Sequence, residues 1–127
     1  MSIDKNIRDD NSRVFLHLWG TIGGGETIDE VILNPRDLIS EPSHLKVYAV
    51  DRFIQSGLCL LFYWEGESEH TLMFPLEGYG RNALDKEDGF LDPRKEGATG
   101  KVVLKIVNDK EETKHFAVKI EFMKQRG

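Results

Sequence analysis

Residues near the C-terminus alternate strictly between apolar and polar side chains, and this alternation constrains the fold more than any other feature. In residues 114–124 every second side chain is large and apolar: Phe116, Val118, Ile120 and Phe122. A period of two places these side chains on one face of an extended strand. Residues 101–107 repeat the pattern, and the polar residues 108–112 between the two segments predict an antiparallel hairpin.

Five further segments have the length and composition of β-strands. Most of them are rich in β-branched and aromatic residues, and none is long enough to indicate a helix. The strand at residues 13–19 has apolar residues on both faces and is expected to be central. The strand at residues 70–76 follows an acidic hairpin turn and contains Pro75, so it is expected at an edge. These strands are predicted at residues 13–19, 28–33, 45–54, 57–64 and 70–76.

The segments between the predicted strands are rich in glycine, proline and charge. Three successive glycines within residues 20–27 predict a flexible hairpin tip. Residues 34–42 are bounded by prolines and are expected to form a loop with at most one helical turn. Residues 77–100 hold five Gly and few large apolar side chains, which predicts a long loop, and the charged residues 1–12 predict a mobile arm.

Seven or eight short strands without a predicted helix indicate an all-β fold. The expected architecture is an antiparallel β-sandwich, of jelly-roll or Ig-like type, over residues 13–127, with a partly closed β-barrel as the alternative. A chain of 127 residues buries enough surface for a single core. We therefore predict one domain preceded by the flexible N-terminal arm.

Composition argues against several classes of protein. The formal charge is −5 and there is no basic block, which argues against a nucleic-acid surface. No run of about 18 apolar residues and no basic-then-apolar start occurs, so neither a membrane span nor a secretory leader is expected. Cys59 is the single cysteine, which excludes an internal disulfide and a thiolate-rich zinc site. The lone thiol is consistent with synthesis in a reducing cytoplasm.

Candidate chemical groups are scattered along the chain rather than arranged in a motif. The four histidines lie singly, and the acidic set at residues 85–92 does not follow the calcium-loop spacing. Leucines surround Cys59, so it is predicted to be a buried structural residue without a depressed pKa. No catalytic residue, metal ligand or cofactor is predicted, and the chain is not expected to be an enzyme.

Aromatic side chains predicted on the strands indicate an alternative function. Flat rings on one face of a sandwich are a means of stacking against sugars, which makes a carbohydrate-binding module the alternative function. Trp64 continues an apolar face and is expected in the core or at an interface. The full set of candidates is Trp19, Tyr48, Tyr63, Trp64 and Tyr79.

Two segments resemble small β-sandwich proteins of bacteriophage virions. In residues 89–104 a glycine-containing loop leads through Thr99-Gly100 into the last strands, and in residues 54–76 an apolar strand, an acidic turn and a Pro-bearing strand follow one another. The chain has Lys101 where the family pattern usually has Asp. The resemblance implies a non-enzymatic structural subunit, such as a capsid decoration (cement) or head-tail protein, located in the virion after synthesis in the host cytoplasm.

A structural subunit of this kind acts through protein–protein contacts, so its site is an interface. Capsid or other virion proteins are the expected partners, together with further copies of the chain in a homo-oligomer. Neither nucleic acid nor membrane is expected as a partner. The candidate interface residues lie in the arm, the Gly-rich loop and the long loop: Ile3, Ile7, Arg8, Ile22, Tyr79, Arg81, Leu84, Phe90 and Leu91.

Overall fold

The computed structural model shows two antiparallel β-sheets packed face to face, and it describes residues 2–39, 41–42, 44–67, 70–83, 90–91 and 98–125. A single 3-10 turn, Pro35–Asp37, lies in the predicted loop at residues 34–42. The strands of the described residues are β1 Ser2–Asp9, β2 Arg13–Ile22, β3 Thr27–Leu33, β4 His44–Ile54, β5 Leu60–Gly66, β6 Thr71–Leu76, β7 Tyr79–Ala83, β8 Phe90–Leu91, β9 Ala98–Val107 and β10 Lys114–Gln125.

The strand order defines a larger and a smaller sheet. The larger sheet runs β1-β2-β10-β4-β7, and the short strand β8 also pairs with β4. The smaller sheet runs β3-β9-β5-β6. The predicted all-β antiparallel sandwich is confirmed, and the described strands form two open sheets rather than a closed barrel. Ten strands are present instead of seven or eight, because segments predicted as arm and loop also pair.

One hydrophobic core fills the space between the two sheets. The four alternating apolar residues predicted in residues 114–124 are all at most 3% exposed, which confirms that strand and its buried face. From the opposite sheet, Phe62 is fully buried and packs on Phe74 at 5.4 Å between ring centroids. Trp64 is buried as expected and meets Phe122 edge-on across the core, at 6.4 Å.

The hairpin predicted between residues 101–107 and 114–124 is wrong. Both strands exist, but β9 lies between β3 and β5 in the smaller sheet, while β10 lies between β2 and β4 in the larger one. Residues 108–113 therefore cross from one sheet to the other. A polar segment of this length suits a hairpin and a crossing equally well, so alternation within each strand does not distinguish them.

Asn108 begins this crossing and is fully buried. Its side-chain Nδ2 donates to the carbonyl oxygens of Ile22, at 3.0 Å, and Glu112, at 2.8 Å, and its Oδ1 accepts from the backbone N–H of Lys110, at 3.1 Å. A buried amide is tolerated when its donors and acceptor are satisfied. Asn108 thereby joins the end of β2 to the crossing.

The Gly-rich segment predicted as a flexible hairpin tip at residues 20–27 is instead a second crossing, between β2 and β3. The strands extend into it, so only four residues connect them. A Cβ on Gly24 would lie 2.2 Å from the carbonyl oxygen of Glu111, so only glycine allows the two crossings to approach this closely. Gly25 has φ +79 and donates its N–H to the carbonyl of Asn108 at 2.7 Å.

Residues 1–12 differ from the predicted arm, because Ser2–Asp9 form the edge strand β1 along the length of β2. Ile3 and Ile7 pack against the core. They are four residues apart, with Lys5 between them on the same face. This polar residue interrupts the alternation from which a strand is recognised.

The long loop predicted at residues 77–100 also contains paired strands. Within its described part, β7 pairs with the second half of β4 and β8 with two residues of its first half. Strands β7 and β8 therefore extend the edge of the larger sheet, whereas residues 98–100 begin β9 in the smaller sheet. No helix in the described part of the chain is long and apolar enough to cross a membrane.

Candidate functional site

The outward side chains of the larger sheet fall into rows, because antiparallel pairing sets residues of neighbouring strands side by side. One row crosses all five strands of the path and contains three charged residues. We call it the charged row, and it consists of Asn6, His17, Lys119, Asp51 and Arg81. With strands about 4.8 Å apart, its four steps span about 19 Å.

A second row runs parallel to the charged row, two residues further along each strand. Its β1 position is Asp4, opposite Trp19. We call it the aromatic row after its other members, which are Trp19, Ala117, Phe53 and Tyr79. Phe53 is 62% exposed and Tyr79 is 70% exposed, and their rings contact each other at 5.2 Å between centroids. Ala117 is the only small member, so the row contains a notch between Trp19 and the Phe53–Tyr79 pair.

The charged row lies in a shallow groove with a volume of about 330 Å³. Its floor includes Ala49, a buried residue that is not part of the core between the sheets. Phe15 lies at one end, with the guanidinium of Arg8 above its ring at 6.0 Å. Every strand of the larger sheet except β8 contributes to the lining: Asn6, Arg8, Phe15, Leu16, His17, Ala49, Asp51, Arg81, Lys119, Ile120 and Glu121.

Ion pairs and rings hold several of the lining side chains. Asp51 Oδ2 lies 3.5 Å from Arg81 Nη1. Glu121 Oε1 lies 3.3 Å from Nη1 of Arg13, which is outside the groove lining. The His17 ring contacts Trp19 at 4.5 Å between centroids, and burial, followed by the charge of Lys119, lowers the pKa of His17. The neutral form of His17 is therefore favoured at pH 7, and this form can donate one hydrogen bond and accept another.

The outer face of the smaller sheet carries a different kind of row. We call it the aliphatic row, and it consists of Val31, Val103, Tyr63 and Leu72 on the four neighbouring strands. Val31 is 41% exposed and Leu72 is 51% exposed, whereas Val103 between their strands is buried. Val103 lies outside the core cluster, so its neighbours on this outer face cover it. The row spans about 14 Å.

The predicted interface residues are divided among several environments. Arg8, Arg81 and Tyr79 lie on the outer face of the larger sheet. Ile3 and Ile7 are partly buried against the core. Ile22 is fully buried, so its assignment to an interface is corrected: its position at the end of β2 directs it inward. Leu84 lies outside the described residues, and of Phe90 and Leu91 the structure describes only their backbone pairing with β4.

The aromatic candidates are also separated. Trp19 and Tyr79 share the aromatic row, whereas Tyr63 belongs to the aliphatic row on the opposite sheet. Trp64 lies in the core. The Tyr48 ring lies under the guanidinium of Arg13, at 5.6 Å. Two of the five predicted rings therefore share a surface, and Phe53 joins them.

Other candidate groups do not converge in the part of the chain that the structure describes. Within it, no three His, Cys, Asp or Glu side chains are placed to hold a metal ion. Cys59 is partly exposed rather than buried, and burial, with Glu77 nearby, raises the pKa of its thiol. The acidic set at residues 85–88 and 92 lies outside the described residues. Glu65 accepts a hydrogen bond from Thr99 Oγ1 at 2.9 Å.

Sequence reasoning did not identify Phe53, Lys119 and Leu72 as surface candidates. Lys119 is an outward residue on a strand whose alternation was predicted, so its exposure followed from that pattern. Phe53 and Leu72 lie past register shifts in β4 and β6 and are exposed, although strict alternation groups them with the buried residues Val47 and Phe74. The neighbours of all three residues depend on strand order and register. Comparison with protein-family models, with curated proteins and with solved structures finds no match to the chain.

Proposed function

We propose that the chain is a non-enzymatic structural protein that acts through contacts with other protein subunits. The virion role implied by the resemblance, as a capsid decoration (cement) or head-tail subunit, is the specific form of this proposal. The aliphatic row is the observation that carries it. Protein interfaces have an apolar centre and a polar rim, and this row is bordered by the cross-strand pair Asp29 and Lys105.

The shape of this face also supports contact between copies. Two sheets pack face to face about 10 Å apart through their side chains. A twofold dimer uses the same patch on both subunits, so one aliphatic row on each copy is sufficient. The hairpin of β5 and β6, which carries part of the resemblance, supplies Tyr63 and Leu72 to the row.

The first test measures the oligomeric state by size-exclusion chromatography with light scattering over a wide range of protein concentration. The wild-type chain is expected to self-associate, and the double variant Val31→Lys, Leu72→Lys is expected to be monomeric at the same concentrations. Both replaced side chains are exposed, so the thermal midpoint should change little. Phe53→Lys, an equally exposed apolar residue on the other sheet, is the matched control and should leave association unchanged.

Two results would contradict the proposal. One is a wild-type chain that stays monomeric at the highest attainable concentration and binds no capsid in co-sedimentation. The other is association that survives the double variant but is abolished by Phe53→Lys, because the contact face would then be the larger sheet.

Carbohydrate binding is a second candidate function, and the aromatic row favours it. Its rings are exposed side by side, and adjacent polar groups of the charged row can bond to hydroxyls. Trp19 is 37% exposed, whereas Trp64 is buried, so a ligand on this face should perturb the fluorescence of one tryptophan only. A glycan array followed by fluorescence titration of the wild type and Trp19→Phe tests this function.

A further inference from the structure

The groove on the larger sheet has a charge opposite to that of the whole chain. Three basic side chains, Arg8, Lys119 and Arg81, and two acidic ones, Asp51 and Glu121, line it. The complete chain has a formal charge of −5. A local excess of positive charge on an acidic protein favours a negatively charged ligand at this position.

The two carboxylates of the groove are already engaged. Of its three cations, Arg81 pairs with one of these carboxylates and Arg8 lies over the Phe15 ring. This leaves the ammonium of Lys119 as the cation without a described contact of this kind. Asp51 pairs with Arg81, and Glu121 pairs with Arg13 from outside the lining. Among the described residues, the ammonium of Lys119 forms no ion pair. It lies at the middle strand of the sheet, beside His17 on β2 and Asp51 on β4.

The engaged carboxylates also restrict which anion fits. Asp51 and Glu121 repel a ligand of high charge, such as a phosphate or a polysulfate, but both can accept hydrogen bonds from hydroxyls. The ligand that matches has one negative charge, several hydroxyls and an apolar face. The aromatic row lies about 7 Å along the strands from the charged row, a separation that one hexose unit spans.

We propose that the groove binds an acidic saccharide, with Lys119 holding the sugar carboxylate and the aromatic row stacking against a neighbouring ring. This inference rests on the second candidate function and gives it a ligand class. His17 belongs to the charged row, and its ring contacts Trp19 of the aromatic row. Its neutral imidazole adds a hydrogen-bonding group near both rows and does not compete with Lys119 for the sugar carboxylate.

The test compares each acidic ligand with its own neutral form. An aldobiouronic acid, in which one uronic acid is linked to one neutral hexose, and sialyllactose, and the methyl ester of each, are titrated against the protein at low salt while tryptophan fluorescence is recorded. At least one acid is expected to bind about tenfold more tightly than its ester, because a charge-assisted bond is lost in the ester. Added salt should reduce this difference.

Variants assign the effect to the groove. Lys119→Gln should weaken binding of the acid about tenfold and leave binding of the ester unchanged. Lys105→Gln, on the outer face of the smaller sheet, is the matched control and should alter neither. Phe53→Ala should weaken acid and ester alike, because both forms stack.

Each alternative outcome is distinguishable. Equal binding of acid and ester, unaffected by Lys119→Gln, would overturn carboxylate recognition but retain carbohydrate binding. Failure of both acids and both esters would overturn the proposal, and the glycan array would then decide whether neutral sugars still bind. An acidic peptide, oligo-glutamate, that perturbs Trp19 and depends on Lys119 while the saccharides do not would show that the groove receives a protein segment.

Discussion

The two ends of strand β10 are closed by buried polar residues of different kinds. Near its first residue, the neutral amide of Asn108 bonds to the carbonyls of Ile22 and Glu112. Near its last residue, the ammonium of Lys124 is fully buried and donates to Asp9 Oδ2, at 2.9 Å, and to a backbone carbonyl, at 2.6 Å. Asn108 joins the crossing that leads into β10 to the end of β2. Lys124 joins the end of β10 to the end of β1 and the turn that follows it.

The difference between the ends lies in what holds them at low pH. Burial opposes ionisation of Asp9, but hydrogen bonds from Lys124 and from the backbone N–H of Ile39 outweigh it and lower the pKa of Asp9 below its ordinary value of 3.8. A lowered carboxyl pKa stabilises the fold above pH 3.8, and this contribution is lost as the pH falls through the folded-state pKa. At the other end, the side-chain amide of Asn108 bonds to backbone groups, which do not titrate. Acid should therefore loosen one end of the sheet and not the other.

The largest expected effect is at the neutral end. Asn108→Ala leaves one buried and one partly buried carbonyl without their donor, and we expect it to reduce the free energy of unfolding by about 3 kcal/mol. The loss should be the same at pH 7 and at pH 4, measured by urea denaturation. Asp109→Ala, the exposed neighbour, is the control and should change stability by less than about 0.5 kcal/mol. A loss that appears only in acid would contradict the assignment.

Close approach of the two crossings predicts the next effect. Gly24→Ala places a methyl group against the carbonyl of Glu111 and should cost about 2 kcal/mol. Gly78→Ala is a matched control, because Gly78 has φ +66 but open space around its Cβ position. It should cost about 1 kcal/mol from backbone conformation alone. Equal losses in urea denaturation would mean that steric overlap at Gly24 is relieved by a small shift of the loop.

The charged end predicts a smaller, pH-dependent effect. Asp9→Asn removes the carboxylate from a buried ammonium, which retains one backbone acceptor, so we expect a loss of about 1.5 kcal/mol at pH 7. The difference from wild type should shrink as the pH falls below 3.8 and disappear once the pH is below the lowered folded-state pKa of Asp9, where the wild-type carboxyl is itself protonated. Urea denaturation between pH 7 and pH 3 measures both. Asp29→Asn, an exposed substitution on β3, should show no such profile.

A double substitution separates the cost of a stranded charge from the loss of an attraction. Adding Lys124→Met to Asp9→Asn removes the ammonium and keeps an unbranched side chain of similar length. Because an uncompensated buried charge is the costly element, the double variant should be more stable than Asp9→Asn alone. If both variants are equally unstable, then packing of β1 rather than charge explains the loss.

Both buried polar residues carry a signal that alternation already contained. Asn108 is the next even position after Leu104 and Ile106 in β9, and Lys124 is the next after Phe122 in β10. A period of two therefore points both side chains inward. Because both residues are polar, the strands are instead predicted to end at these points. A polar residue at an inward position calls for a search for its partners.

Seven of the ten described strands were predictable because their existence depends on local alternation, whereas β1, β7 and β8 fell in segments predicted as arm and loop. Strand neighbours were not predictable. The strands β9 and β10 pack into opposite sheets, although their sequences and their connection match a hairpin. Neighbours arise from the global arrangement that buries every inward face at once. The rows on the outer faces could not be predicted for the same reason. Lys119 becomes the centre of a charged row only when β2 and β4 lie on either side of β10.

The smallest effect concerns His17, which lies on the open face between the two closed ends. Burial and the charge of Lys119 lower its pKa below 6.5, so the neutral form is favoured and stability declines as the pH falls through 6.5. Lys119→Gln should raise the His17 pKa, followed by NMR titration of its ring protons, but leave it below 6.5 because burial is the larger cause. Lys105→Gln, on the other sheet, should not move it. An unchanged pKa in Lys119→Gln would show that the two side chains point apart, and the groove would then lose its central cation.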